Sequence, residues 1–313
     1  MTLMDDIRMT DKRLFGWRVR SDVLLPDLLD WEGDDRIPDV LFTVGAVQKG
    51  HEDWRSFTPG VWVGPAGELL LCIPDVAAYL VEGGSQVTIE PFLPITAPDI
   101  RAFLLGTVLA TLCFNRGMMP LHASGVATPH GALLVSGNSG MGKSTLAATL
   151  HRCHHLPLIS DDMCALDFQN REKPVLWPAF PRLKMWRDSA QSLQMSTTGA
   201  ERTRGEFDKF HIPVAAQDFH ADPLPIAALI LLNRCPRPAE PQITQLKGLD
   251  VMRQRDMVHR WILGEALGYG PLIFRGLASV ARAAPVFELT RSDDLGAVPD
   301  LAARIIELAS SPR

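Results

Sequence analysis

The sequence has few cysteines, and their arrangement argues against a disulfide framework. It contains five, an odd number, and no two of them form a C-x-x-C pair: Cys72, Cys113, Cys153, Cys164 and Cys235. Secreted domains that depend on disulfides carry dense, even sets of cysteines, whereas the thiols of cytosolic proteins stay reduced. We therefore expect reduced thiols and a cytoplasmic protein.

Long apolar segments are also missing. The longest mainly apolar run covers the thirteen residues Ala102–Phe114, whereas a helix that spans a bilayer needs roughly 20 residues. The first residues, Met1 to Arg13, are charged and polar and do not resemble a secretory signal. These observations predict a buried helix in the middle of the chain and no membrane association.

No strong excess of charge of either sign is present. The chain carries 31 Lys and Arg residues against 36 Asp and Glu residues, a net charge of −5. Proteins that bind nucleic acid or anionic membranes usually show an excess of basic residues. The balance therefore favours partners other than nucleic acid.

The chain is long enough for two domains, since it has 313 residues, of which 46% are hydrophobic. Residues 1–96 contain short apolar segments separated by Pro- and Gly-bearing turns, and Glu82-Gly83-Gly84-Ser85 has the composition of a hairpin turn. A helix is predicted from Pro98 to about Gly117. We therefore predict a small β-rich domain over 1–96, which recognises a substrate or only packs, and an α/β domain over 97–313.

Strands and helices alternate in the second region, which begins with a predicted hairpin formed by 120–127 and 132–136. The segments predicted to follow are a helix at 145–152, strands at 156–159, 226–232 and 286–289, and helices at 254–267 and 295–309. Residues 193–203 are polar and weakly periodic, and they are predicted to form a mobile loop.

A glycine-rich motif stands between a predicted strand and a predicted helix. Residues 137–144 fit G-x-x-x-x-G-K-[ST] at every constrained position. Glycines let successive backbone N–H groups converge on phosphate oxygens, and the following helix adds the positive end of its dipole. Lys143 is placed to reach the β- and γ-phosphates as a point charge, and the Ser144 hydroxyl suits Mg²⁺, which prefers oxygen ligands.

The motif predicts that the chain binds a nucleoside triphosphate with Mg²⁺. The predicted nucleotide-binding residues are Gly137, Asn138, Ser139, Gly140, Met141, Gly142, Lys143, Ser144 and Thr145. The alternative is a glycine-rich turn that binds nothing.

Two adjacent acids, Asp161 and Asp162, follow a predicted buried strand. The carboxyl ends of strands are where α/β sheets place catalytic residues, and adjacent side chains on an extended segment point to opposite sides. Phosphoryl transfer needs a metal anchor and an acceptor for the hydroxyl proton, so the pair has the residue types for both roles. The alternative is a solvated turn. The residues alone favour a structural role for His122, which precedes the motif.

Three segments in order resemble the C-terminal kinase domain of HPr kinase/phosphorylase: 121–127, 134–144 and 158–162. That domain is similar to ATP-dependent phosphoenolpyruvate carboxykinase. The resemblance implies a carboxykinase-like P-loop core with a mixed sheet, and a serine kinase that uses Mg-ATP. It implies that Asp161 is the base toward the serine hydroxyl and that His122 lies near the γ-phosphate. We predict that Ser144 and Asp162 hold the metal and that Lys143 joins the catalytic set.

The whole chain is similar to the HPr-kinase-like tailoring kinases of lasso-peptide biosynthesis clusters. The similarity rests on R-G-x-x-P-L-H-A at Arg116–Ala123, P-R-L-K-x-W at Pro181–Trp186, and the tripeptide Asp208-Lys209-Phe210. It implies phosphorylation of a serine at the C-terminal end of a precursor peptide. The glycine-rich segment that HPr kinase/phosphorylase carries after its acids is absent, so we do not expect HPr as the substrate.

Several points stay open at this stage. Basic residues downstream of the acids are candidates to clamp the transferring phosphate or are ordinary surface charges: Arg182, Lys184, Arg204 and Lys209. The acceptor is a serine of a peptide or another protein, or a small molecule such as free serine. A nucleotide-dependent regulatory binding module is a further alternative. Relatives of HPr kinase form oligomers, which leaves a homo-oligomer open, and the sequence does not specify the nucleotide base.

Overall fold

The computed structural model describes residues 11–48, 53–170, 174–203, 207–235, 240–294 and 296–310, and these have a mixed α/β fold. The strands are β1 (Lys12–Leu14), β2 (Trp17–Ser21), β3 (Leu29–Asp30), β4 (Val40–Val44), β5 (Arg55–Thr58), β6 (Val61–Val63), β7 (Leu69–Ile73), β8 (Ala77–Glu82), β9 (Gln86–Pro91), β10 (Met119–Leu121), β11 (Ala123–Thr128), β12 (Gly131–Ser136), β13 (Leu158–Ser160), β14 (Cys164–Asp167), β15 (Val175–Trp177), β16 (Arg182–Trp186), β17 (Glu201–Arg202), β18 (Lys209–Pro213), β19 (Ile226–Arg234), β20 (Gln242–Leu246) and β21 (Val286–Arg291).

The α-helices are α1 (Pro98–Phe103), α2 (Leu109–Asn115), α3 (Lys143–His154), α4 (Arg187–Ser192), α5 (Leu249–Met252), α6 (Trp261–Ala266), α7 (Gly270–Ala283) and α8 (Val298–Ser310). A π-helical segment, Leu104–Val108, joins α1 to α2, and short 3₁₀ turns occur at Ala216–Asp218 and Arg255–Met257.

The N-terminal part of the chain forms one large sheet. Among the described residues its strand order is β3-β1-β2-β4-β9-β8-β7-β6-β5. The predicted hairpin is confirmed, because β8 and β9 pair antiparallel around Gly83 and Gly84, whose φ angles are 57° and 68°. Glycine adopts this left-handed conformation without the steric cost that a side chain would add.

The predicted helix at 98–116 is confirmed as a nearly continuous segment against this sheet. Its apolar residues, among them Ile100 and Leu104, share one core with sheet residues such as Val19 and Tyr79. The Tyr79 hydroxyl donates a 3.0 Å hydrogen bond to the Ile100 carbonyl. Since sheet and helix share this core, the division between 1–96 and 97–313 stays a prediction. No helix in the described ranges has both the length and the apolar character needed to cross a bilayer.

A second sheet carries the glycine-rich motif. Its strand order is β13-β11-β12-β19-β21-β20, with β12, β19 and β21 mutually parallel and the other pairs antiparallel. The predicted β11–β12 hairpin is confirmed by the register Ala123↔Ser136. Alternate residues face opposite sides, so Leu133 packs with α3 and α8 while Leu134 packs with α7. The motif therefore leaves the sheet at the edge where three parallel strands end.

The described residues also form two three-stranded sheets, β10-β14-β15 and β16-β18-β17. The second of them lies against α3, where Leu183 and Phe210 share a core with Ala148. The segment predicted as a mobile loop, 193–203, contains a short strand, because Glu201 and Arg202 pair with β18.

The predicted helix at 254–267 is wrong in its extent. The chain forms a 3₁₀ turn, then α6, because Arg260 has a φ of 57° that a continuous helix does not permit. The sequence reading also missed α7, which begins beside Pro271. Proline is a helix breaker in the interior but is well suited to the first helical turn. The predicted closing helix begins at Val298 in α8, and position 295 lies outside the described residues.

Candidate functional site

A polar cleft of about 690 Å³ lies at the edge where β12 ends. Its walls come from the loop before α3, the first turn of α3, β16, β18 and the ends of β19 and β21. The predicted site residues that line it are His122, Ser139, Gly140, Gly142, Lys143, Ser144, Thr145 and Asp162. The fold therefore brings into one cleft residues that are separated in sequence.

The loop between β12 and α3 requires glycine at two positions. Gly137 has a φ of 143°, and a Cβ there would lie 2.5 Å from the Leu232 carbonyl oxygen. Gly142 has a φ of 95°, and a Cβ there would lie 2.4 Å from Nη2 of Arg291. Both contacts are shorter than a side chain tolerates. The glycines therefore let the backbone run close to β19 and β21 while the N-terminus of α3 faces the cleft.

Lys143 begins α3 and is only 8% exposed. Its Nζ donates to the Gly137 carbonyl at 2.8 Å and to the Asn138 carbonyl at 3.3 Å. Burial lowers the pKa of the Lys143 ammonium, and the nearby Lys209 lowers it further although Asp162 opposes the shift. A buried cation held only by neutral carbonyl acceptors of its own loop is well placed to exchange them for an anion.

Three of the predicted nucleotide-binding residues contribute through their backbones in this structure. Gly137 and Asn138 provide the carbonyls that hold Lys143. The Met141 side chain packs against the core formed by the sheet, α3 and α8, and its carbonyl accepts a 3.3 Å hydrogen bond from Arg291. Met141 thus anchors the loop from behind.

Asp161 directly follows β13 and is 4% exposed. Its Oδ1 accepts a 2.9 Å hydrogen bond from Ser144 Oγ and a second from Ser124 Oγ. Its Oδ2 accepts a 2.6 Å hydrogen bond from the Lys184 backbone N–H. The carboxylate is therefore fixed by three donors on three elements, directly beside the hydroxyl of the glycine-rich motif.

Asp162 turns to the other side, into the cleft, and its side chain is 40% exposed. Lys184 Nζ lies 3.1 Å from Oδ2, and His122 Nε2 lies 3.6 Å from Oδ1. Partial burial alone raises the pKa of this carboxyl, but Lys184 and His122 outweigh burial, and the pKa lies well below its ordinary value. The backbone φ of 92° is unusual for aspartate, and such strain is typical of positions held for function.

His122 is held at the start of β11 by its backbone. Its N–H donates to the Met257 carbonyl and its carbonyl accepts from Ser136 Oγ, both at 2.8 Å. Behind it lies His259, with ring centroids 5.3 Å apart, and burial lowers the pKa of His259 to about 3. The sequence-based prediction did not include His259, which lies 137 residues away in the chain. A bridge between Leu121 and Val258, with a hydrogen bond from the His259 N–H to the Pro120 carbonyl, brings it there.

The four basic candidates downstream of the acids have different positions. Lys184 and Lys209 line the cleft. Arg182 instead forms a 2.8 Å ion pair with Asp27, and position 204 lies outside the described residues. Burial lowers the pKa of Lys209, and the neighbouring Lys184 lowers it further.

Other residues of the three matched motifs lie away from the cleft or at its rim. Arg116 stacks on Trp17 of the N-terminal sheet, 4.8 Å from the ring centroid. Trp186 lies on the cleft rim, is 43% exposed and makes an edge-to-face contact with Phe207. Asp208 forms a 2.7 Å ion pair with Arg187. Its neighbour in the tripeptide, Lys209, also lines the cleft.

Two arginines that the sequence reading missed complete the cleft. Arg234 ends β19 and Arg291 ends β21, and both line the cleft on the side of the loop opposite Asp161. The predicted strands stopped at 232 and 289, just short of each arginine. The available signal was a charged residue at the end of an apolar strand, which in a parallel sheet lies at the ligand edge.

The oxygen donors at the cleft suit Mg²⁺ better than they suit a metal whose ligands all come from the protein. Among the described residues, no group of three or more His, Cys, Asp or Glu is arranged to hold a metal. Mg²⁺ needs less from the protein, because one or two carboxylates together with phosphate oxygens and waters complete its coordination. Ser144 and Asp161, whose oxygens are 2.9 Å apart, provide oxygen ligands of this kind.

Comparisons with known proteins find similar chains among solved structures. No family model matches this chain, and no curated protein matches it. Among solved structures, the HPr(Ser) kinase/phosphatase from Coxiella burnetii is similar over 60% of this chain and 88% of that chain, with a TM-score of 0.32 and 12% sequence identity.

Proposed function

We propose that this chain is a Mg²⁺-dependent kinase that transfers the γ-phosphoryl group of ATP to a serine hydroxyl. The observation that carries the proposal is that Lys143 and Ser144 lie beside two carboxylates in different surroundings. Asp161 is buried and hydrogen-bonded, whereas Asp162 faces the cleft. In this proposal the second sheet and α3 form a P-loop core of the phosphoenolpyruvate-carboxykinase type.

The cleft supports polyphosphate binding through three neighbouring lysines, one buried and two partly buried. Lys143, Lys184 and Lys209 lie close enough to lower the pKa values of Lys143 and Lys209. An anion among them offsets both their repulsion and their desolvation. The N-terminus of α3, which has twelve residues, adds backbone N–H donors and the positive end of the helix dipole. The triphosphate is therefore the ligand that the cleft accommodates best.

For the metal we propose Ser144 and Asp161 as the protein ligands, directly or through water. Bound Mg²⁺ supplies positive charge that neutralises the phosphoryl oxygens during transfer. The sequence-based prediction assigned the metal to Ser144 and Asp162. The 2.9 Å hydrogen bond between Ser144 and Asp161 supports the opposite assignment, in which Asp161 binds the metal and Asp162 faces the acceptor.

For the acceptor side we propose Asp162 as the group that orients the serine hydroxyl and takes its proton. The serine Oγ forms a bond to the γ-phosphorus, the bond from that phosphorus to the β–γ bridging oxygen breaks, and ADP leaves with that oxygen. The hydroxyl proton moves to the Asp162 carboxylate. Because the pKa of Asp162 is low, the proton transfers late, and most of the rate comes from positioning and charge stabilisation.

Lys184 and His122 complete this side of the cleft. Lys184 lies 3.1 Å from Asp162 and is a cation available to the transferring phosphoryl group. His122, 3.6 Å from the same carboxylate, holds its orientation and lies where the resemblance implies contact with the γ-phosphate. The sequence-based set of Asp161, Asp162, His122 and Lys143 thus stays together in the proposal, with the roles of the two acids exchanged.

Replacing Asp161 with Asn tests the metal assignment. We expect the Mg²⁺ concentration for half-maximal activity to rise at least about tenfold, because a charged metal ligand becomes neutral. Titration of activity with Mg²⁺ measures the shift, and circular dichroism checks that the buried amide is tolerated. An unchanged Mg²⁺ requirement in the folded variant would contradict this assignment and favour Asp162 as the metal ligand.

We propose a peptide acceptor, namely the C-terminal serine of a lasso-type precursor peptide. The cleft is open beside Asp162, and Trp186 with Phe207 offers an exposed aromatic surface at its rim. Aromatic side chains in such positions commonly anchor peptides. A cytoplasmic location and assembly into a homo-oligomer stay predictions.

Incubation with γ-labelled ATP tests the acceptor. The arms are a peptide ending in serine, the same peptide ending in alanine, a peptide with internal serine, and free serine. We expect label on the first only. Label on internal serine favours another protein substrate, and label on free serine favours a small-molecule kinase. Release of free phosphate in every arm, with no labelled acceptor, favours a regulatory binding module and contradicts the kinase proposal.

A further inference from the structure

The cleft has two chemically different sides, one on each side of the glycine-rich loop. In the sheet order β13-β11-β12-β19-β21, Asp161 follows β13 on one side of β12, and Arg234 and Arg291 end β19 and β21 on the other. Because β12, β19 and β21 are parallel, their carboxyl ends lie at the same edge. A ligand held by the loop therefore has the acids at one end and the two arginines at the other.

Arg291 is the more buried of the two arginines, at 4% exposure. Its Nη1 donates to the Ser292 carbonyl at 2.9 Å, and its Nη2 makes a long 3.3 Å contact with the Met141 carbonyl. Its Nε is buried without a hydrogen-bond partner among the described residues. Arg291 lines the cleft and does not use all of its N–H donors. Its guanidinium can therefore donate hydrogen bonds to an anionic ligand.

Other charges around Arg291 support this interpretation. Burial lowers the pKa of Arg291, and Arg234 lowers it further, although Asp293 opposes the shift. Arg234 forms a 2.6 Å ion pair with Asp293, both partly exposed at the mouth of the cleft. Arg291 is therefore the inner cation on this side, and Arg234 already has a carboxylate partner.

We infer that the nucleotide lies across the loop in a single direction, with its nucleoside end over β19 and β21, and that Arg291 binds the α-phosphate. The inference rests on the proposed function, which places the γ-phosphate beside Asp161 and Asp162. The nucleoside end then lies on the opposite side of the loop. Arg291 contacts the loop at Met141 and lies against Gly142, so its guanidinium reaches the phosphate that follows those bound by Lys143.

Calorimetric titration of three ligands tests this placement, each with Mg²⁺: ATP, ADP and inorganic pyrophosphate. Pyrophosphate provides the two phosphates that Lys143 binds but has no α-phosphate attached to a nucleoside. For Arg291→Ala we expect the Kd of ATP and of ADP to rise roughly 10- to 100-fold, the loss typical of a charge-assisted hydrogen-bonding partner. The Kd of pyrophosphate should change less than about threefold.

Matched variants separate binding from support of the loop. Arg291→Lys keeps the charge without the planar fork of donors, so it should recover part of the ATP affinity. Arg275→Ala removes an exposed arginine of α7 and should leave all three affinities unchanged. Thermal unfolding confirms that each variant is folded.

Three outcomes decide the inference. The selective loss for ATP and ADP supports it. Equal weakening of all three ligands would mean that Arg291 only supports the loop through Met141, and unchanged affinities would mean that it does not touch the nucleotide; either result overturns it. If the unaltered chain binds none of the three ligands, the proposed function itself fails. This result differs from a failure of the inference alone, in which the unaltered chain still binds ATP.

Discussion

Replacing Asp162 with Asn should lower phosphoryl transfer by about 10²- to 10⁴-fold, the usual contribution of a positioned acid–base group, while Mg-ATP binding stays nearly unchanged. The substitution keeps the shape of the side chain and removes the negative charge that faces Lys184 and His122. An amide cannot take the serine proton and orients the hydroxyl less strongly. Single-turnover transfer of labelled phosphate to a serine peptide measures the loss, and calorimetry measures ATP affinity.

Asp188 provides the matched control for this prediction. It lines the same cleft, is exposed, and its carboxylate accepts a 2.7 Å hydrogen bond from the Ser189 N–H. Asp188→Asn removes the same charge from the cleft and should reduce transfer less than about threefold. If Asp162→Asn retains full turnover while Asp161→Asn abolishes it, the original sequence-based assignment of Asp161 as the base is correct.

Replacing Lys143 with Met should weaken Mg-ATP binding by about 10²- to 10⁴-fold, because two charge-assisted contacts to phosphate are lost, and transfer should fall at least as far. The unliganded fold should not suffer. Lys143 is a buried cation near two other lysines, and burial already lowers its pKa. Removing that charge relieves the cost of burying it, so the thermal midpoint without ATP should stay the same or rise.

Calorimetry and thermal unfolding with and without Mg-ATP measure both halves of this prediction. Lys247→Met is the control, since Lys247 is exposed on a turn before α5 and should leave both quantities unaltered. A Lys143→Met protein that is folded and binds Mg-ATP like the unaltered chain would contradict the role of the loop. A variant that unfolds would instead show that Lys143 is needed for the loop structure itself.

Features that depend on neighbouring residues in the chain were predictable. The glycine-rich motif, the two acids after a strand, and the hairpin at Gly83 and Gly84 each lie within a few consecutive residues, so local backbone preferences and composition identify them. The strands β7, β12 and β19 were predictable for the same reason, because apolar runs of that length bounded by turn residues are typical of buried strands. Helix α7, which carries Pro271 in its first turn, was not predicted.

The sequence by itself determined where the glycine-rich loop and the two acids lie, since each is formed by consecutive residues. The tertiary structure decided which partners each of them has. The pairing of β16 with β18 places Lys184 between the two acids. The backbone pairing of 257–259 with 120–122 places His259 behind His122. The parallel alignment of β19 and β21 brings Arg291 to the loop. Strand register and packing set these contacts between residues far apart in the chain, and neither is encoded at any one position.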